Sequence, residues 1–329
     1  VVDNAGNTGT GTLPGITTDT IPEPGEGQTA SIVWGDINWD SSTGTASVTV
    51  SKGTGVSDSL QIQYQVVANT ETQPQEDLYT AIENDEIIQN LTSGNVVYAR
   101  LWDGNNAGSP ASINIEDSTN PTVTVTPGTV TETSIQITVN ATDSESGIPS
   151  PATYKYYIKK STEGTYPNEP TATDGNAGYT FTNLDDNTSY DIKVEVVDRA
   201  GNIGSEESKG VKTLITIPNI NDDGVINVGG PNWNGDGTAD VTITKGDNVD
   251  DDLTIEYKKE GDDDYTPLGD GEKIEGLESG DKIYIHLTDG DRTSEDKVME
   301  IKDETGPTVE VTQGATSTNG ITVNVEVHD

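Results

Sequence analysis

The sequence predicts an all-β fold with tandem β-sandwich domains in an elongated array. Three observations support this fold: apolar residues alternate with polar ones, long segments recur along the chain, and no helical period of useful length is present. The alternation is clearest between Tyr190 and Val197, where Ile192, Val194 and Val196 alternate with charged residues. A period of two is typical of a strand with one buried face.

Composition limits the classes of protein that the chain can belong to. It has 329 residues, 57 acidic and 17 basic side chains, a formal net charge of −40 and a hydrophobic fraction of 30%. That fraction suits thin two-layer sandwiches. The charge argues against nucleic acid and anionic membrane as partners, since both need a basic surface. An acidic surface for solubility, bound divalent cations and adaptation to high salt all stay open as its explanation.

The chain contains no cysteine, so disulfides and thiol chemistry are excluded. No membrane insertion is expected in this segment, because no transmembrane span is present. The sequence has neither a signal peptide nor an initiator methionine, which predicts a mature product or an excised fragment. We expect an extracellular or cell-surface location, where stability has to come from cores, bound ions or cross-links other than disulfides.

Two kinds of segment, type A and type B, recur along the chain. The motif at Trp39 in one type B segment returns at Trp233 in the other, and Pro121 of type A returns as Pro307, 186 residues later (307 − 121). The predicted order is the end of a type A repeat at 1–16, a linker at 17–29, a type B domain at 30–117, a type A domain at 118–215, a second type B domain at 216–303 and the start of a type A repeat at 304–329. Partial repeats at both ends predict a piece of a longer tandem array.

Strands are predicted wherever β-branched and aromatic residues alternate with polar ones between turn-forming residues. In the first type B domain they are Ala46–Val50, Leu60–Val67, Val96–Trp102 and Ser112–Glu116. In the type A domain they are Val123–Thr126, Ser134–Ala141, Tyr154–Lys160, Tyr179–Thr182 and Tyr190–Val197.

The segment Leu184 to Val194, with Leu184, Thr188 and Tyr190 at its key positions, resembles the approach to strand F of a fibronectin type III domain. The resemblance implies that Tyr190 is a tyrosine-corner residue. The motifs at 143–148 and 198–202 resemble bacterial Ig-like surface-adhesin repeats. This implies Ig-like or fibronectin type III-like sandwiches that act as spacers or ligand-presenting modules on a cell surface. The type B segments resemble the same broad class.

Calcium is the sharpest hypothesis for a site in type A. Asp143 and Glu145 follow one predicted strand, Asp198 and Asn202 follow another, and Asp117 lies in the preceding linker. Loops at one end of a sandwich can meet, and calcium prefers several oxygen ligands. The alternative is that Asp143 and Asp198 cap turns through hydrogen bonds to the backbone.

A second candidate for calcium lies in the second type B domain. Asn232, Asn234, Asp236 and Asp240 resemble the first half of a calcium loop, although Ile243 stands where such a loop has its last acidic ligand. A plain Gly-Asp turn is the alternative.

No enzyme is expected. The two histidines, His286 and His328, lie in strand-like runs, and no motif for an activated serine accompanies them. His286 is predicted to be a surface or edge residue of its strand.

The function that we expect is a structural repeat region, a stalk or fibre, of an extracellular adhesin-like protein that calcium stiffens. Its partners would be neighbouring repeats of the same protein and other copies in a filament. One alternative is a self-assembling filament or surface-layer subunit, and another is a glycan- or protein-binding module. A binding module should show a cleft in one domain only, whereas a stalk should show the same surface in every copy.

Overall fold

The computed structural model describes residues 5, 21–22, 31–68 and 74–328. Regular structure in these residues is β throughout, apart from a 3₁₀ turn at Glu76–Leu78. The prediction of an all-β fold is therefore confirmed. Except for Ala5, Ile21 and Pro22, the predicted tail at 1–16 and linker at 17–29 lie outside the described residues. None of the described residues form a helix with the length and apolar character needed to span a membrane.

The first type B segment forms two antiparallel sheets. Its strands are β1 (Ile32–Trp34), β2 (Asn38–Asp40), β3 (Thr45–Lys52), β4 (Gln61–Ala68), β5 (Thr80–Ile82), β6 (Glu86–Leu91), β7 (Asn95–Trp102) and β8 (Ala111–Ile115). One sheet has the order β1-β3-β2 with β6 also paired to β3, and the other has the order β5-β4-β7-β8. Ala46, Val48 and Val50 of β3 are buried because alternate side chains face the opposite sheet.

The type A segment has the same two-sheet construction. Its strands are β9 (Thr122–Val130), β10 (Ser134–Thr142), β11 (Tyr154–Lys160), β12 (Ala172–Asp174), β13 (Gly178–Thr182), β14 (Ser189–Val197) and β15 (Ile203–Lys212). The sheets have the orders β13-β10-β9 and β12-β11-β14-β15. Ile192, Val194 and Val196 of β14 are fully buried, as their alternation predicts.

The second type B segment repeats the first, and a two-stranded hairpin follows it. The strands are β16 (Ile226–Val228), β17 (Asn232–Trp233), β18 (Ala239–Lys245), β19 (Thr254–Lys259), β20 (Thr266–Leu268), β21 (Lys273–Leu277), β22 (Lys282–Thr288), β23 (Lys297–Glu300), β24 (Thr308–Ser317) and β25 (Gly320–His328). The sheet orders are β16-β18-β17 with β21 on β18, β20-β19-β22-β23, and β24-β25.

Every strand named from the sequence occurs in the structure, with shifted ends. The largest shift is in β9, which continues to Val130 instead of ending at Thr126. The missed strands are mostly short, such as β1, β5 and β12 with three residues each. Three residues are too few for an alternation to be recognised, so pairing with a longer neighbour defines these strands.

The chain divides into two compact units, Val1–Thr213 and Leu214–Asp329. The first unit contains two separate hydrophobic cores, one from Ile32 to Ile115 and the other from Val123 to Val196. The second unit contains the core from Ile215 to Ile301. The domain boundaries drawn from the sequence stay predictions.

Tyr190 makes the contact that the fibronectin resemblance implies. Its ring is buried, and its hydroxyl accepts a hydrogen bond of 2.9 Å from the backbone N–H of Asp185, five residues upstream. This bond fastens the turn before β14 to the strand itself, as in a tyrosine corner.

Replacing Tyr190 by phenylalanine should lower the free energy of unfolding by roughly 1 kcal/mol, because the N–H of Asp185 loses its acceptor. Urea unfolding of the full chain, followed by hydrogen exchange in β14, measures the change. Tyr154→Phe is the matched control, since the Tyr154 ring is also buried but its hydroxyl has no hydrogen bond among the described residues. Equal losses in the two variants would contradict a role for the Tyr190 hydroxyl.

Candidate metal centre

Three aspartates meet at one end of the type A sandwich. Asp117 lies between β8 and β9, Asp143 follows β10 directly, and Asp198 follows β14 directly. One carboxylate oxygen from each lies within 4.8 Å of the others. Asp117 and Asp198 are 6% and 4% exposed, and Asp143 is half-buried. The loops after two strands and the linker between two segments are thus gathered at one point.

Each aspartate also organises its own loop. Oδ1 of Asp143 accepts hydrogen bonds from the backbone N–H groups of Glu145 (3.0 Å) and Gly147 (2.6 Å). Oδ1 of Asp198 accepts from Gly201 (2.7 Å) and Asn202 (2.8 Å). Oδ1 of Asp143 and Oδ1 of Asp198 therefore cap turns, as the alternative to calcium binding predicts. Oδ2 of Asp143 makes no such bond among the described residues, so the calcium hypothesis stays open.

Asp117 connects the linker to the loop after β10. Its Oδ1 accepts from the backbone N–H of Thr119 (2.9 Å), and its Oδ2 accepts from the backbone N–H of Ser146 (3.0 Å). Burial alone would raise the pKa of the Asp117 carboxyl, but hydrogen bonds from Ser146 and Thr119 hold that pKa below its usual value. Asp117 is therefore held as an anion.

The cluster concentrates negative charge. Two carboxylates 4.8 Å apart repel each other by about 3 kcal/mol at an effective dielectric constant of about 20. Burial, together with the carboxylates of Asp117 and Asp143, raises the pKa of the neighbouring Glu145 carboxyl. Among the described residues, no lysine or arginine forms an ion pair with Asp117, Asp143 or Asp198. Within the described part of the chain, no ion pair therefore offsets this repulsion.

The residues fit a calcium ion. Oδ2 of Asp143 is buried and has no hydrogen-bond partner among the described residues, so it offers a free ligand atom. Two ligands on opposite sides of a calcium ion are about 4.8 Å apart at the usual calcium–oxygen distance of about 2.4 Å, so the spacing of these oxygens is in the range of one ligand shell. Asp117, Asp143 and Asp198 would hold the ion, with Glu145 beside them.

Asn202 takes a different position from the other predicted ligands. Its amide nitrogen donates to Oδ2 of Asp198 (2.9 Å) and to the backbone carbonyl of Asp117 (3.1 Å). The side chain therefore ties two members of the cluster together. Its oxygen would have to turn inward before Asn202 could bind a metal.

The predicted type B residues lie in the turn between β17 and β18 and in the ends of these two strands. Asn232, Asn234 and Asp236 are exposed. Oδ1 of Asp236 accepts from the N–H (3.1 Å) and hydroxyl (2.8 Å) of Thr238, and the Asn234 amide donates to Asp240 at 3.3 Å. These contacts match the plain-turn alternative more closely than a calcium loop.

A residue that the sequence analysis missed joins the first type B segment to the type A segment. The guanidinium of Arg199 donates to the backbone carbonyls of Ser41 (2.9 Å), Ser42 (3.2 Å) and Ser146 (2.9 Å). The chain is acidic and has only three arginines, and this rarity was the one feature of the sequence that could have drawn attention to Arg199. The backbone is close as well: a Cβ on Gly147 would lie 1.9 Å from the Ser41 carbonyl oxygen.

The type A segment also has a polar cleft of about 580 Å³. Residues along it include Tyr157, Lys159, Tyr166, Asp191, Lys193 and Glu195. Its lysines pair with its carboxylates, Lys159 with Asp191 at 2.9 Å and Lys193 with Glu195 at 2.7 Å. The Lys193 ammonium lies 4.2 Å from the centre of the Tyr157 ring.

Similar stacks of a tyrosine on a cationic or ionisable side chain occur in both type B segments. The Arg100 guanidinium lies 3.8 Å from the centre of the Tyr79 ring, and the rings of Tyr265 and His286 are 4.0 Å apart. The prediction that His286 is a surface or edge residue is wrong: it is 6% exposed on β22, which pairs on both sides. The imidazole ring is buried because the Tyr265 ring covers it. The Glu256 carboxylate lies 3.1 Å from Nε2 of His286, within hydrogen-bond distance.

Comparisons with known proteins identify no family for this chain. No protein-family model matches it, and no curated protein does. Among solved structures, it is similar to the crystal structure of chicken CNTN1 FN1–FN3 domains, with 13% identity, a TM-score of 0.27, and coverage of 83% of this chain and 98% of that one. At that TM-score the likeness carries no argument. The paired antiparallel sheets themselves fit tandem sandwiches of the Ig-like or fibronectin type III-like class.

Proposed function

We propose that this chain is a structural repeat region, a stalk or fibre, of an extracellular, adhesin-like cell-surface protein, and that calcium stiffens it. One observation carries the proposal. The clustered aspartates Asp117, Asp143 and Asp198, which form no ion pair among the described residues, lie where the first type B segment passes into the type A segment. A spacer needs its joints held, and this joint holds the residues that calcium prefers.

Calcium at this point would act on the joint itself. Asp117 belongs to the linker, whereas Asp143 and Asp198 belong to loops of the type A sandwich. An ion bound to all three would remove their mutual repulsion and tie the linker to both loops. Ser146 donates to Asp117, and Arg199, next to Asp198, donates to the Ser41 carbonyl of the type B segment. An ion that fixes the two loops would therefore also fix the contact between the segments.

The surface features favour a spacer over a binding module. The cleft described above lies in the type A segment, but stacks of tyrosine on a cationic or ionisable side chain like those along it occur in all three segments. The charged groups lining the type A cleft are already paired with one another. Paired charges have less free energy to gain from a ligand.

The distance between the two segments of the first unit tests the spacer function. The chain has no cysteine, so cysteines introduced at the exposed positions Thr54 and Thr162 can each carry one spin label. Calcium should narrow the distribution of distances between the labels, and chelator should broaden it. Magnesium at the same ionic strength should leave the broad distribution, because it demands a tighter octahedral site.

Two outcomes would count against the proposal in different ways. A calcium-bound chain with an unchanged distance distribution would leave an ion site without a stiffening role. A distribution of label distances that is already narrow in chelator would show that Arg199 and the close contact of Gly147 with Ser41 hold the joint without an ion.

A further inference from the structure

The contact made by Arg199 has a counterpart surface in the second unit. In the first unit, Arg199 binds the turn between β2 and β3, where it lies against Gly44: a Cβ on Gly44 would be 2.3 Å from Cδ of the arginine. The equivalent turn between β17 and β18 contains Gly237, which also has a positive φ (+85°, against +77° for Gly44). We call the pocket at this second turn the 233–237 pocket.

The 233–237 pocket has a volume of about 250 Å³ and is lined by Trp233, Asn234, Gly235, Gly237, Asp303 and Thr305. Several of its parts have counterparts at the first joint, although the turn from Trp233 to Ala239 is one residue shorter than the turn from Trp39 to Ala46. Asp303 accepts from the backbone N–H of Thr305 at 2.9 Å, as Asp117 does from Thr119 at 2.9 Å. Gly237 closes its turn by donating to the carbonyl of Asn234, three residues before it, at 3.1 Å, whereas Gly44 donates to Asp40, four residues before it, at 2.8 Å.

The two surfaces differ in what covers them. Gly44 and Asp117 are buried, whereas Gly237 and Asp303 are exposed. Among the described residues, nothing lies within 4 Å of the place where a Cβ on Gly237 would be. The carbonyls of Gly235 and Asp236 lie between Trp233 and Gly237, as those of Ser41 and Ser42 lie between Trp39 and Gly44, and they accept no hydrogen bond among the described residues. The pocket thus offers the acceptors that a guanidinium uses.

The hairpin next to the pocket indicates what covers it. Hairpin β24-β25 repeats β9 and β10 of type A, but Val309, Val311, Ile321, Val323 and Val325 are 53–65% exposed. Four of the five type A counterparts are at most 8% exposed: Val123, Ile135, Ile137 and Val139. In type A, the segment 144–213 supplies both the covering sheet β12-β11-β14-β15 and the turn that carries Arg199.

We propose that the 233–237 pocket is a binding site for the arginine of a type A turn, Asp-Arg-Ala-Gly-Asn. The occupant is the second half of a type A sandwich, with the pattern of residues 144–213, whose first two strands are β24 and β25. Its guanidinium donates to the carbonyls of Gly235 and Asp236, and its strands cover the apolar face of the hairpin. The inference rests on the proposed repeat architecture and does not involve calcium.

The test is a chain lengthened after Asp329 by a second copy of residues 144–213. Asp329 corresponds to Asp143 (329 − 143 = 186), so the addition completes a type A repeat. Hydrogen exchange is measured in excess chelator, which separates the result from any calcium effect. Amides of β24 and β25 should become protected, and the turn at 234–238 should exchange at least about tenfold more slowly than in the same chain with the added arginine replaced by alanine.

Glycine variants of the lengthened chain provide a matched control. Gly237→Ala should restore fast exchange in the turn, because its Cβ would occupy the place of the arginine stem. Gly271→Ala has a similar positive φ (+80°) and open surroundings, so it should leave the slow exchange in place. Protection of the hairpin with equal exchange in the arginine and alanine forms would overturn the arginine site alone. A hairpin that gains no protection would overturn the repeat architecture as well.

Discussion

In saturating calcium, the unit Val1–Thr213 should unfold with a free energy about 3 to 4 kcal/mol higher than in chelator, and Asp143→Asn should abolish most of that gain. A ligand that binds only the folded state stabilises it by this amount when its free concentration is about 100 to 1,000 times its Kd. Asp143 is the choice because its Oδ2 is buried without a partner. Asparagine retains Oδ1, which accepts from Glu145 and Gly147.

The sign of the effect should reverse in chelator. Without an ion, Asp117, Asp143 and Asp198 repel one another at 4.8 Å or less, by about 3 kcal/mol for each pair at that distance. Asp143→Asn removes one charge from the cluster. The variant should therefore be more stable than the original chain in chelator and less stable in calcium. Scanning calorimetry in calcium, magnesium and chelator, at fixed ionic strength, measures both comparisons.

Asp103→Asn is the matched control for this experiment. The Asp103 carboxylate also caps a turn, accepting from the backbone N–H groups of Asn105 (2.8 Å) and Asn106 (2.7 Å), but it is outside the cluster. Its variant should keep the full calcium response. If calcium did not change the stability of the original chain, the metal site would be refuted and the aspartates would act only as turn caps. An equal loss of the calcium response in Asp143→Asn and Asp103→Asn would refute the metal site as well.

Gly147→Ala should loosen the joint between the first type B and type A segments more than any other single methyl group placed there. Gly147 has a φ of +75°, and its Cβ would lie 1.9 Å from the carbonyl oxygen of Ser41. The left-handed conformation costs a non-glycine residue about 1–2 kcal/mol. The clash with backbone should add about 1–3 kcal/mol, because neither chain segment can move aside alone.

Gly201→Ala separates these two costs. Gly201 has a φ of +98° and lies in the neighbouring turn, but nothing is within 4 Å of its Cβ position among the described residues. It should show the conformational cost alone. Urea unfolding gives the stability of each variant, and the spin labels at positions 54 and 162 report the joint. A distance distribution as narrow in Gly147→Ala as in Gly201→Ala would show that the close approach at Ser41 does not hold the joint.

Much of the candidate site followed from the sequence, since Asp143 and Asp198 each come directly after a predicted strand. Strands on one sandwich end at a common edge, so their loops were expected to meet, and these two aspartates do lie together with Asp117. The contact of Arg199 was not foreseen. Its partners are the backbone carbonyls of Ser41 and Ser42, about 157 residues away, and backbone acceptors leave no mark in a sequence.

For His286 the sequence led to a wrong prediction, because its position in a strand-like run indicated an exposed strand surface. Burial there depends on Tyr265, which comes from a separate loop and covers the ring. The type B turn at Asn234 and Asp236 likewise had the residue types of a calcium loop. Whether such residues converge depends on where the chain goes next, and here they bond within their own turn.

The sequence by itself determined most of the longer strands and the repeat pattern of this protein. Alternation with a period of two is a local property of the sequence. The buried face of β14, formed by Ile192, Val194 and Val196, could therefore be predicted before its partner strands were known. Tertiary structure alone decided which side chains meet across sheets and segments: the three aspartates, Arg199 with Ser41, and the cover over His286. These contacts depend on loop paths and on the packing of one segment against the next, which residue type and spacing do not specify.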